Sequence, residues 1–185
     1  MKLQHHNTTS GYGGRSLICM MIFCLAAMMV TLPFASVYAD QTVTAKVKVK
    51  SWMTTGHRLP APDEEGHAVG IGQREGEVDF NGKETGKYET TALIDGWVGK
   101  KGIYKGYSKY SFKDGSAIFF SWTAEGARTK EGLPRQQGTG IIEKGTGRFE
   151  GIKGRAVFTA TQVKPTSEDS MRTAVTDAVL VYTLP

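Results

Sequence analysis

From residue 42 onward the chain alternates between apolar and polar positions. In "TVTAKVKVKSWM" Val43, Ala45, Val47 and Val49 fall on one side and Thr44, Lys46, Lys48 and Lys50 on the other. That period of two is the mark of a strand with one solvated face. "GKYETTALID", "GIYKGYSKYSF", "SAIFFSWTAEG", "QQGTGIIEK", "GRAVFTATQV" and "RTAVTDAVLVYTL" follow, and a weaker strand lies in "HAVGIGQREGEVDF". Gly, Pro, Asp and Lys clusters separate them at the roughly ten-residue spacing of all-β domains. "DG" in "KDGS" marks a hairpin, with Gly115 free to take positive φ. No long segment carries the period of an amphipathic helix, and no repeat of solenoid length is present. The pattern predicts an all-β, eight-stranded antiparallel barrel, closed so that no edge strand is left to recruit other chains.

The same alternation assigns an interior. Lys105, Tyr107, Lys109, Ser111 and Lys113 share one face of their strand, while Tyr104, Gly106, Ser108, Tyr110 and Phe112 share the other. On the next strand Ile118, Phe120 and Trp122 lie opposite Phe119, Ser121 and Thr123. The register that turns Tyr104, Tyr110, Phe120 and Trp122 inward leaves the lysines in water, whereas the opposite one buries them without partners. Candidate ligand-lining residues are therefore Tyr88, Tyr104, Ser108, Tyr110, Phe120 and Trp122. Eight strands enclose just enough width to be packed solid by such rings or to hold one small ligand. Phenol and indole groups on inward faces need polar partners, which favours a wet or occupied cavity over a dry core.

The stretch "GTGIIEKGTGRFEGIKG", Gly138 to Gly154, invites comparison with a phosphate-binding loop. Such a loop needs its glycines between a strand and a helix, followed by Lys and Ser or Thr. Neither follows here, so the glycines are read as bulges and tight corners. Within it, "GTGRFEGIKGRAVF" resembles the corner of the allene oxide cyclase and dirigent barrels at Gly145, Thr146, Gly147, Phe149, Gly151 and Gly154. The likeness extends over roughly residues 85–165. It implies a calycin-like barrel, here as a bacterial-type secreted member, whose cavity accepts small apolar or aromatic molecules. Plant members steer cyclisation of an oxylipin epoxide or coupling of phenoxy radicals with a shaped pocket and no metal or organic cofactor, and they assemble as trimers. The resemblance thus implies no cofactor and a homo-oligomer. The catalytic residues of those enzymes have no match here, so whether the chain is an enzyme stays open.

Residues 1–39 have a different character. Lys2 and Arg15 precede the apolar run "SLICMMIFCLAAMMVTLPF", and Val37 and Ala39 fit a small-residue cleavage site. This is the pattern of a signal peptide, followed by a single domain over residues 40–185 that is secreted or periplasmic with no stable membrane insertion after cleavage. Cys19 and Cys24 leave with it, so the expected mature chain has no disulfide and no thiol nucleophile. Of the formal net charge of +5, Lys2 and Arg15 account for two, and outside the first strand the remaining basic residues are interspersed with acids. No nucleic-acid partner is expected from that distribution.

Two clusters carry other chemistry in principle. "GHRLPAPDEEGH" gathers His57, Asp63, Glu64, Glu65 and His67, but its spacing matches no compact metal signature, and it reads as a solvated loop joining the first two strands. Glu75, Glu77 and Asp79 read as an exterior charged stripe rather than a cation site. No metal is expected, and no Ser-His-acid or Cys-His arrangement is present. Three functions remain: a barrel binding a small hydrophobic or aromatic molecule, a cofactor-free cyclase or isomerase acting through shape, and a solidly packed interaction module. Processing is directly testable. The intact mass of extracytoplasmic protein should correspond to a chain starting at or near Asp40, and a chain retaining Met20 to Pro33 would contradict the reading.

Overall fold

The computed structural model describes residues 41–128, 133–163 and 172–185. The leader therefore lies outside the described residues. The strands are β1 (Thr42–Pro60), β2 (His67–Phe80), β3 (Glu84–Trp97), β4 (Gly102–Phe112), β5 (Ala117–Arg128), β6 (Pro134–Thr146), β7 (Lys153–Gln162) and β8 (Ala174–Thr183). Each pairs antiparallel with the next, and β8 returns to β1 with Val43 opposite Tyr182 and Val49 opposite Thr176, so the eight strands form a closed barrel. Pairing all the way round gives every strand two neighbours and removes the exposed edge.

β1 shows why the alternation was informative. Ala45, Val47, Val49 and Ser51 are buried while Lys46, Lys48 and Lys50 are exposed. Outside, Lys50 sits opposite Glu77, and Lys48 opposite Asp79. Glu77 in turn faces Lys87 on β3. Opposite charges across strands stabilise such pairs modestly. β1 is longer than its alternation suggests: Gly56–Pro60 continue the ladder against Ala68–Gly72, after an irregularity between Met53 and Thr55. The connection to β2 is therefore only the short turn over residues 61–66, and His57 and His67 belong to strands rather than to a loop.

Large side chains close one end. Val47, Val49, Val78, Ile118 and Leu180 are essentially inaccessible, and Phe80, Phe112 and Phe149 meet in a ring cluster with centroids 5.3–6.1 Å apart. Arg148 covers this base. Its guanidinium lies 4.8 Å from the Phe112 ring centroid and 4.7 Å from that of Phe149, within cation–π range. It also bonds Asp114, at 2.8 Å, and Glu84. The tight turns gather at this end. Asn81 and Gly82 both take positive φ in the β2–β3 hairpin, and Gly115 does so between β4 and β5, where Asp114 accepts hydrogen bonds from the amide and hydroxyl of Ser116.

The glycine stretch forms corners. Between β6 and β7 a single 3₁₀ turn, Gly147–Phe149, reverses the chain and drops Phe149 into the core. Gly147 has φ +61°, and a Cβ on Gly154 would stand 2.3 Å from the Val181 carbonyl oxygen. Gly147→Val and Gly154→Val should each lower stability by more than about 1 kcal/mol, the scale of backbone strain and steric conflict. Thermal melts at the wild-type temperature for both would contradict the corner assignment.

Candidate functional site

Toward the opposite end the barrel is not filled. A cavity of about 260 Å³ occupies the interior there. Its walls differ in kind. β3, β4 and β5 supply Tyr88, Tyr104, Tyr110, Phe120 and Trp122, whereas β6, β7 and β8 supply mostly small side chains, Gly140, Ala156, Ala160, Ala174 and Ala178, with Phe158 among them. The space exists because small side chains stand across from rings in a barrel whose width is set by its strand count.

All six residues singled out from the sequence, Tyr88, Tyr104, Ser108, Tyr110, Phe120 and Trp122, line this cavity. The register is the one that keeps lysines outside: Lys105 and Lys113 are exposed, and Lys109 pairs with Glu89 on the outer surface at 3.5 Å. Glycines admit the rings. A Cβ on Gly106 would lie 2.5 Å from the Trp122 indole, and one on Gly126 would lie 2.4 Å from the Tyr104 ring. Tyr110 packs against Phe120 at 4.8 Å and Tyr88 at 5.9 Å.

A short polar chain crosses the aromatic wall. The Trp122 indole N–H donates to Ser108 Oγ at 2.9 Å, Ser108 donates to Thr90 Oγ1 at 2.8 Å, and Thr90 donates to the Tyr107 carbonyl at 3.0 Å. Each hydroxyl both donates and accepts, so the buried polar atoms are satisfied and the indole is fixed. The Tyr110 phenol is buried in the same wall. Burial, and then the neighbouring Tyr88 phenol, push its pKa far above the ordinary tyrosine value, so it stays a neutral donor.

Several contributors are absent from the sequence-derived set. Phe158 of β7 meets Trp122 edge-on at 5.8 Å, and Thr90 completes the hydroxyl chain. Arg74 lines the cavity from β2, donating from Nε to Ser51 Oγ at 3.1 Å and from a terminal nitrogen to the carbonyls of Ser51, at 3.0 Å, and Arg172, at 2.6 Å. Arg74 alternates with Glu75 and Glu77, so the exterior stripe itself puts the arginine on the inward face. Phe158 sits in "RAVFTATQV", whose alternation does place it with Ala156 and Ala160.

The rim of the cavity carries a second feature. His67, at the start of β2, presents Nδ1 to Asp63 at 2.5 Å and Nε2 to Asp95 at 2.7 Å, and its ring stacks on Trp97, a lining residue, at 4.1 Å. Both nitrogens donate only in the imidazolium form. Glu75 and Glu77, by contrast, are exposed on the outer wall. Among the described residues no group of three or more His, Cys, Asp or Glu side chains gathers to hold a metal.

No family model matches the chain, and no curated protein does. Solved structures do. A conserved protein of unknown function from Rhodopseudomonas palustris aligns with TM-score 0.50 and 9% identity, over 76% of this chain and 98% of its own. One from Clostridium acetobutylicum, also of unknown function, aligns with TM-score 0.51 and 10% identity, over 77% and 98%. At such identities the likeness is one of fold.

The His67 bridge has a definite pH dependence. Hydrogen bonds to Asp95 and then Asp63 raise its pKa above the ordinary 6.5. A raised folded value means the stabilisation is complete below the unfolded pKa and is lost as pH climbs through the folded one. The melting-temperature difference between wild type and His67→Gln should be largest near pH 5.5 and shrink toward about pH 8.5. A difference independent of pH contradicts the bridge.

Proposed function

We propose that the protein binds a small hydrophobic or aromatic molecule inside its barrel, outside the cytoplasm. The observation that carries the reading is the unfilled interior bounded by Tyr88, Tyr104, Tyr110, Phe120 and Trp122. A packed module would place large side chains where Ala156, Ala160, Ala174 and Ala178 stand. A cavity with an aromatic wall, a few convergent hydroxyls and one open end has the make-up of a small-molecule site. The extracytoplasmic setting rests on the leader pattern up to Ala39.

Fixed rings keep the ordering cost of binding low. Trp122 is held by Ser108 and flanked by Phe158, and Tyr110 is locked between Tyr88 and Phe120. Their positions require no rearrangement to receive a planar guest.

The test uses N-phenyl-1-naphthylamine, a neutral fluorophore, with the purified protein. Binding should enhance its emission and quench tryptophan. Tyr110→Ala and Trp122→Ala should weaken binding severalfold, while Lys109→Ala leaves it unchanged. Ala160→Phe should abolish binding with the melting temperature kept or raised, because the ring occupies the guest's space. A folded wild-type protein that binds no such probe would overturn the reading. Turnover of an added epoxide or phenoxy-radical substrate in the same cavity would extend it to the cyclase function that the resemblance implies.

A further inference from the structure

Charge along the cavity lining is one-sided, the acids of the rim, Asp63, Glu64 and Asp95, being engaged by His67 and Lys100. Arg58, Arg74, Lys100, Arg135 and Arg172 line the cavity, and no described lining residue is Asp or Glu. Lys100 is neutralised by Glu64, and Arg74 is tied into the wall through Ser51. Arg58, Arg135 and Arg172 are exposed and form no ion pair among the described residues. They come from different parts of the ring: Arg58 from the far end of β1, Arg135 from the start of β6, and Arg172 from just before β8. All three stand at the open end, whereas on the outer wall of β1 Lys48 and Lys50 face Asp79 and Glu77 across the strands.

Resting on the interior-binding reading, we infer that the ligand is a compact aromatic carboxylate, its ring seated against Tyr110, Phe120 and Trp122 and its anionic head at the arginine rim. Two observations fix the class. Planar guanidinium groups match carboxylate geometry and hold their charge at any physiological pH. At about 260 Å³ the cavity falls below the 300–1,000 Å³ typical of drug-sized ligands. One ring system or two fused rings fit, and the ring-lined wall of Tyr110, Phe120 and Trp122 gives a planar aromatic guest more contact than a flexible acyl chain. The polarity of the tunnel orients the guest. The deep end offers neutral hydroxyls, with Tyr110 held protonated and Ser108 and Thr90 already engaged, so a carboxylate left there would have no cation. At the rim it keeps both charge partners and water.

The experiment compares 2-naphthoate with 2-naphthamide, which share shape and differ in charge, by calorimetric titration of the purified protein. Dodecanoate and the neutral fluorophore are run alongside. Naphthoate should bind at least about tenfold more tightly than the amide, and the gap should narrow as salt rises, because rim charges are screened. In the triple variant Arg58→Gln, Arg135→Gln, Arg172→Gln, naphthoate should fall toward the level of the amide. Equal affinity of acid and amide for the wild type overturns the anionic head and leaves interior binding standing. Tighter binding of dodecanoate than of naphthoate overturns the compact aromatic class. Failure of all four compounds to bind overturns interior binding itself, and this inference with it.

Discussion

Closure of the sheet is the constraint on which the rest of this protein depends. Once β8 pairs with β1, strand number fixes the width of the interior, and side-chain size alone decides whether that width is filled. At the base it is filled. Phe80 packs edge to face on Phe112 and Phe149 among Val47, Val49, Ile118 and Leu180, and Arg148 covers them from outside. Farther along the same strands most inward positions of β7 and β8 are small, with Ala156, Ala160, Ala174 and Ala178 alongside Phe158, and the width they do not fill is left open. The barrel thus has a core at one end and a chamber at the other.

A chamber of this kind has to handle the polar groups that face it. Unsatisfied, each would cost free energy in a low-dielectric setting. The indole of Trp122 and the hydroxyls of Ser108 and Thr90 form a chain that ends on the Tyr107 carbonyl, which satisfies them without water and fixes the aromatic wall. At the mouth, His67 draws Asp63 of the first turn and Asp95 of β3 to the same ring and stacks it on Trp97. The rim is held by charge and the wall by neutral hydrogen bonds, in keeping with their different exposure to solvent.

Alternation made the barrel legible. A period of two in "TVTAKVKVK" and "IYKGYSKYSF" fixed which residues face inward, because the wrong register would have buried lysines. That single argument placed Tyr104, Tyr110, Phe120 and Trp122 correctly, and the glycine corners followed from the absence of a helix after them. What could not be read was long-range. His67 and Asp95 are 28 residues apart and meet only because β2 and β3 pair from His67–Trp97 to Phe80–Glu84. The alternation that puts Glu75, Glu77 and Asp79 outside turns Arg74 inward, but its bond to Ser51 depends on the pairing of β1 with β2. "GHRLP" lacks alternation and contains Pro60, so it reads as loop, yet it extends β1 because "HAVGI" lies opposite it.

The central claim is that the interior between the rings and the alanines receives a guest. Its most direct test is a nuclear magnetic resonance titration with indole, following methyl groups on β7 and β8. Ala156, Ala160 and Ala178 face the cavity, and Val157 and Val179, which directly follow Ala156 and Ala178 in sequence, lie on the outer surface. The account predicts saturable shifts of the alanine methyls with the valine methyls unmoved. Shifts confined to the valines, or none at all, would contradict it.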